Sequence, residues 1–181
     1  MSFASQVKAE LCRQPPRKKC CAVAMAYGAL LYCNTFSPRE IRLVTASGEF
    51  ASLLPRLFRR AFGLGFDEQP EPEAQGKRRF LITEPEKTAA VFRAFGMEPE
   101  DTLALHINLG VLESDCCRAS FVRGAFLAGG SVTDPLKSYH LELVTAHASV
   151  SRELGSLLYE LGFEPGQARR GANYVSYFKQ S

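Results

Sequence analysis

The residues of this chain whose types could do chemistry are its cysteines, its histidines and several runs of like charge. Two cysteine pairs stand out, Cys20-Cys21 and Cys116-Cys117. Structural zinc usually takes Cys-x2–4-Cys spacing, and neighbours on a helix point ~100° apart. The pairs therefore read as buried thiols filling small gaps, not as a metal site or a disulfide framework. His106, His140 and His147 stand in unlike contexts, so no metal cluster is expected from them. Gly63-Leu64-Gly65 is too short to make a phosphate loop. Tyr27 and Tyr32 read as helix-packing groups. Basic runs at Arg17-Lys18-Lys19, Arg59-Arg60, Lys77-Arg78-Arg79 and Arg169-Arg170 are balanced by acids at Asp67-Glu68, Glu71, Glu73, Glu84, Glu86 and Glu98 to Asp101. A net charge of +3 is compatible with nucleic-acid binding and does not by itself argue for it.

The elements that must position these residues are two similar helices. Around Gly124, small residues crowd an otherwise apolar segment, and Ser120, Gly124 and Ala128 form a narrow stripe at helical spacing. Such a stripe lets a second helix backbone approach closely. The segment Cys20 to Phe36 matches it in register: Cys20-Cys21 with Cys116-Cys117, Ala24 with Ser120, Gly28 with Gly124, and Cys33-Asn34-Thr35 with Gly129-Gly130-Ser131. Leu-Val-Thr-Ala then recurs at 43–46 and 143–146, which makes the second turn longer by four residues. The chain reads as a duplication around two facing helices.

Ser2 caps a first helix carrying Phe3, Val7 and Leu11, and Gln14-Pro15-Pro16 stops it. Each copy then reads helix, hairpin, helix, hairpin. The hairpin strands are Asn34 to Phe36 with Glu40 to Ala46, and Ser131 to Thr133 with Tyr139 to Ala146. Helices follow, with apolar faces through Phe50 to Phe62 and Val150 to Leu161, stopped by Gly63 and Gly162. Each half ends on a Pro/Gly-interrupted segment and a strand, Lys77 to Thr83 or Asn173 to Lys179. Only the first half adds a helix, from about Glu86 to Phe95, so the natural gene is expected to continue past Ser181. The segment 97–115 links the copies, with Leu103, Leu105, Ile107 and Leu109 alternating. The composition of the whole chain, 46% hydrophobic and 23% charged, is that of an ordinary globular protein, and no run approaches the ~18 apolar residues of a membrane span. With no export signal visible, the thiols are expected to be reduced and the protein cytoplasmic.

Two helix–hairpin repeats meeting through helices of Gly-Ala-Phe-Leu-Ala-Gly-Gly-Ser type resemble the LAGLIDADG homing endonuclease fold. The more specific resemblance is to the WhiA family of bacterial regulators. It rests on the opening Ser2 to Leu11 and on Cys116 to Val132, and it covers essentially the whole chain. It implies an α+β fold of two pseudo-symmetric α-β-β-α-β-β(-α) repeats with an extra N-terminal helix. Residues 1–19 would be the N-terminal helix and linker, 20–97 the first repeat, and 98–181 the linker and second repeat. On this resemblance the family's C-terminal helix-turn-helix domain is expected to be absent from these 181 residues. The resemblance further implies a nucleoid-associated transcription regulator of sporulation or cell division.

An active LAGLIDADG nuclease places a carboxylate at the end of each central helix, where the pair holds a divalent metal that wants hard oxygen ligands. Cys33 and Gly129 occupy those positions here. No catalytic residue, cofactor or metal is therefore expected, and Asp134 reads as a turn residue beside Pro135. In the implied fold DNA lies across the outer sheet faces. Strand alternation turns Ile41, Leu43, Phe80, Ile82, Leu141 and Leu143 inward and Glu40, Arg42, Val44, Arg79, His140 and Glu142 outward. The DNA-binding candidates are Arg39, Arg42, Lys77, Arg79, Lys137, Arg169 and Arg170, and Glu142 stands opposite Arg42 in the repeat. Ala24, Gly28, Ser120, Gly124 and Ala128 are assigned to packing between the repeats. The expected partners are double-stranded DNA, bound weakly by this domain alone, and a protein of the transcription machinery, with no membrane and a monomeric state. The alternative is a protein- or ligand-interaction module that does not bind DNA.

Overall fold

The computed structural model describes residues 2–102 and 104–179. Helix α1 (Phe3–Cys12) is capped by Ser2, whose side chain accepts from the Ser5 N–H, and α2 (Lys19–Leu31) follows the Pro-rich stop. Strands β1 (Thr35–Phe36) and β2 (Ile41–Thr45) lead to α3 (Gly48–Phe62), β3 (Arg78–Ile82) and α4 (Pro85–Ala94). Two short 3-10 turns, Pro99–Asp101 and Leu109–Val111, occupy the link between the copies, where the Leu/Ile alternation makes no strand; Leu103 lies outside the described residues. The second copy runs α5 (Asp115–Gly129), β4 (Gly130–Val132), β5 (His140–Thr145), α6 (Ala148–Glu160), β6 (Gly166–Arg170) and β7 (Asn173–Lys179).

Helices α2 and α5 cross through the glycines that the repeat aligns. A Cβ on Gly28 would stand 2.9 Å from the Phe121 carbonyl carbon and from the Ala125 nitrogen. A Cβ on Gly124 would stand 2.9 Å from the Met25 carbonyl carbon and 3.1 Å from the Ala29 nitrogen. Met25 matches Phe121 and Ala29 matches Ala125, so each glycine meets the counterpart of what the other meets. Backbone touches backbone at both points, a separation only glycine permits. Ala24 and Ser120 are buried beside them, and Ala128 packs partly exposed at the core's margin.

Sheet order is β1-β2-β3 in the first half and β4-β5-β7-β6 in the second, antiparallel throughout. Thr35 pairs with Arg42, and Ser131 pairs with Glu142, so the ladders carry the same alignment as the helices. One expected strand is missing. The first half's second hairpin shrinks to a single bridge, Glu68 to Leu81. Pro70 and Pro72 follow at once, and a residue without an N–H cannot continue a ladder. Both sheets pack their inner faces on the helices, with Ile41, Leu43, Phe80, Ile82 and Leu143 buried. Leu141 is only half-buried and borders an apolar groove of about 410 Å³ with Val132, Leu158, Phe163 and Phe178. In the first half α4 supplies the cover: Phe92 lies 4.6 Å from Phe36 and Phe95 lies 5.6 Å from Phe62, centroid to centroid.

Tyr27 fixes the link to the helices. Its hydroxyl donates to the His106 carbonyl and accepts from the Asn108 N–H, both at 2.8 Å, while its ring stacks on Phe95 at 4.1 Å. A buried phenol with both bonds satisfied is a positioning group.

Candidate nucleic-acid interface

The C-terminal ends of α2 and α5 reach the sheets, and Cys33 and Gly129 lie there. The Cys33 thiol donates to the Leu30 and Thr35 carbonyls at 3.1 and 3.3 Å, and burial pushes it up to about 12. It is a neutral, inward-turned group. Gly129 has no room for any side chain: a Cβ would stand 2.6 Å from the Val144 carbonyl oxygen and 2.8 Å from that of Tyr32. Thr145 locks the same corner by donating to the Leu31 carbonyl at 2.7 Å, joining the second sheet to the first helix. Asp134 accepts from the Leu136 N–H in the β4–β5 loop. Among the described residues, the group of three or more metal-capable side chains that comes together is built of cysteines, away from this corner.

The outer sheet faces carry the charged candidates. Arg42 donates to Thr35 Oγ1 at 2.9 Å, while its Nε is buried without a partner. Arg79 pairs with Glu68 at 3.2 Å, both well exposed. Lys77 is exposed just before β3, Arg39 is exposed in the β1–β2 turn, and Lys137 is exposed in the β4–β5 loop. On the second sheet Arg170 grips Glu142 with two bonds of 3.0 Å, and His140 adds a third at 3.0 Å. Arg170, and secondarily His140, hold the Glu142 carboxyl down to about 2.

Arg169 is set apart from the others. Its pairing with Tyr174 places it two residues from the Gln167–Ser176 pair, on the side of the sheet where Gln167 donates to the Ser151 carbonyl of α6. Its guanidinium bonds the Gly171 carbonyl and lies 5.7 Å from the Tyr174 ring centroid. Neighbours in a strand cannot share a face, so Arg169 and Arg170 separate.

Three groups on this surface escaped the sequence reading. Lys179 pairs with His140 and lies over the Tyr177 ring, 5.6 Å from its centroid; Tyr177 pairs with Glu142. Glu68 comes to the same face through its bridge to Leu81. Alternation along Asn173 to Lys179 was the available signal for the first two. Glu68 had none, because a single bridge leaves no pattern.

Two repeats meeting through glycine-bearing helices, each with a sheet open on its outer side, define the LAGLIDADG fold. The homing endonuclease I-DmoI, solved in complex with its target DNA, superposes with a TM-score of 0.57 at 11% identity, covering 88% of this chain and 89% of that one. At the sequence level the similarity is narrower. Residues 118–181 match the model of the WhiA LAGLIDADG-like domain family. The whole chain follows the solved N-terminal LAGLIDADG domain of WhiA with a TM-score of 0.74 at 17% identity, covering 99% of this chain and 84% of that one. A relative from Ruminiclostridium cellulolyticum, "Probable cell division protein WhiA", is 30% identical over 99% of this chain and 60% of its own length. The chain thus spans about three fifths of that curated relative, whose name is that of a cell-division protein and not of an enzyme. Among the described residues, no helix is long and apolar enough to cross a membrane.

Proposed function

We propose that this chain is a non-catalytic DNA-facing domain of a regulator of cell division or sporulation. Its outer sheet faces make weak contacts with duplex DNA and orient a separate helix-turn-helix domain. One observation carries the reading: the same fold is seen bound to DNA in I-DmoI, and here its outer faces carry Arg42, Lys77 and Arg79 on one sheet and Arg170 and Lys179 on the other. Tyr177 gives a flat ring between His140 and Lys179. The filled corner at Gly129 and the inward thiol of Cys33 support a role without cleavage, since metal-assisted hydrolysis needs oxygen ligands beside the scissile phosphates. The domain acts as a monomer in the cytoplasm at the nucleoid.

A second reading rests on the carboxylates. Glu68 and Glu142 already engage Arg79 and Arg170, and phosphate binding wants cations that are free to exchange counterions. A face of paired charges also suits a protein of the transcription machinery. Fluorescence anisotropy on labelled duplex DNA across a salt series separates the two. The DNA reading expects log K to fall linearly with log salt, and Arg42→Glu with Arg79→Glu to weaken binding and flatten that slope. Salt-independent or undetectable binding favours the protein-interaction module.

A further inference from the structure

We infer that Cys20, Cys21, Cys116 and Cys117 form a thiolate site for one zinc ion at the N-terminal ends of α2 and α5. The sulfurs of Cys20, Cys21 and Cys117 all lie within 4.8 Å of one another. Cys116 lies outside that group, next to Cys117 in the first turn of α5, and joins it as the fourth ligand by side-chain rotation. Around a tetrahedral zinc with bonds of about 2.3 Å, ligand sulfurs stand about 3.8 Å apart. For the three grouped sulfurs, closure onto an ion therefore asks for movement of roughly an ångström, and Cys116 completes the set by turning toward them.

The objection from sequence spacing does not apply, because the ligands come from two helices. Each helix offers its second and third residues, and the crossing of α2 with α5 faces one pair with the other. Both pairs sit in a first turn, at the positive end of a helix dipole. Ser114 caps α5, and its hydroxyl lies 3.0 Å from the Cys116 sulfur. Four thiolates around a divalent ion leave two net negative charges, and the run Arg17-Lys18-Lys19 stands beside them. Cys20 and Cys116 are exposed while Cys21 and Cys117 are buried, so an ion has an entrance on the solvent side and a floor within. Each thiol that ligates gives its proton to solvent, with no change of oxidation state.

Such an ion would clamp the two repeats at the end of the central helices opposite the sheet faces. The thirteen residues of α2 put it about 20 Å from the Cys33 corner. The site is independent of the DNA reading and stands or falls separately.

The test uses the 181-residue chain, fully reduced under nitrogen, with all six thiols counted by a thiol reagent. Cobalt(II) is the first probe, because tetrahedral thiolate ligation gives intense sulfur-to-cobalt charge transfer together with visible d–d bands. One cobalt per chain with both features, bleached by zinc, is the expected result, and zinc should raise the melting temperature. Cys20→Ser with Cys116→Ser removes only exposed sulfurs and should weaken binding about a hundredfold or more, with the metal-free melting temperature unchanged. Cys12→Ala should bind as the unaltered chain does. Substoichiometric binding by the reduced folded chain, an octahedral cobalt spectrum, or full affinity in the double variant would overturn the site. So would a Cys20/21 to Cys116/117 disulfide as the only chemistry these thiols show.

Discussion

Glu142 and Arg42 hold equivalent places in the two sheets with opposite charge, and their surroundings differ accordingly. Arg42 reaches back to Thr35 beside it, whereas Glu142 collects Arg170 and His140. The folded state holds the Glu142 carboxyl near 2 instead of its ordinary 4.5. A depressed carboxylate stabilises the fold above its unfolded value, and that contribution is lost as pH falls from 4.5 toward 2. Asp67 titrates in the same window, held to about 2 chiefly by Lys87. Glu142→Gln should therefore flatten part of the acid limb of a urea-unfolding series and leave the Asp67 part in place. An acid limb identical to that of the unaltered chain would remove Glu142 from the account. The same variant frees Arg170, so under the DNA reading its affinity for duplex should rise. At Gly129 the expectation is steric: Gly129→Asp forces a side chain against the carbonyls of Val144 and Tyr32. It should destabilise by about 2 kcal/mol or more, as overpacking does. A Gly129→Asp variant that melts normally would mean that the helix end moves freely.

Helices α2 and α5 are the elements whose geometry governs the rest. Their contact is backbone on backbone at Gly28 and Gly124, so neither can shift to make room for the other. Gly124→Ala should cost about 2 kcal/mol, or roughly 4–8 °C in melting temperature for a chain of this size. The comparison is Gly48→Ala in the first turn of α3, where a Cβ would lie 3.6 Å from Arg78 in ordinary contact. That variant should melt at or slightly above the parent temperature, because alanine restricts the unfolded chain. Equal melting temperatures for the two variants would rule out the close crossing. Helix α4 owes its start to another element: Glu84 gives no side-chain cap, and Asp67 accepts the Thr83 and Glu84 N–H groups at 2.7 and 2.8 Å instead.

At the scale of the whole molecule the two halves are alike in plan and unlike in finish. The first sheet is covered by α4, while the second leaves an apolar groove beside Phe163 and Phe178. The first sheet loses a strand to prolines, while the second keeps four. An endonuclease needs both halves to bring equivalent acids to one place. Here one position is a half-buried thiol turned onto two backbone carbonyls and the other has no space for a side chain. Supercoiled plasmid incubated with the purified chain and Mg²⁺ or Mn²⁺ should stay supercoiled at every protein concentration. Metal-dependent cleavage that follows the folded domain through purification, and is lost on changing Asp134 or Glu142, would reverse the non-catalytic reading.

The duplication was legible in the sequence because its markers act locally. The two Leu-Val-Thr-Ala runs and the stops at Gly63 and Gly162 each depend on backbone geometry within a few residues, and Gly28 and Gly124 show themselves by falling in the same register of two matching helices. Gly63, for example, takes the left-handed conformation at φ 70° that glycine adopts without cost. The burial of Ile41, Leu43, Phe80 and Ile82 followed from strand period alone. What depends on distant partners was not legible. Glu68 reaches the outer face by one bridge, and Arg42 meets Thr35 while its repeat mate Glu142 meets Arg170, which lies 28 residues further along the chain. The cysteine pairs make the same point most sharply. Read along the chain, neighbouring thiols diverge around a helix; read across the crossing of α2 and α5, the pairs converge. Spacing on one helix is fixed by its pitch, but which sulfurs meet is decided only by how two helices pack.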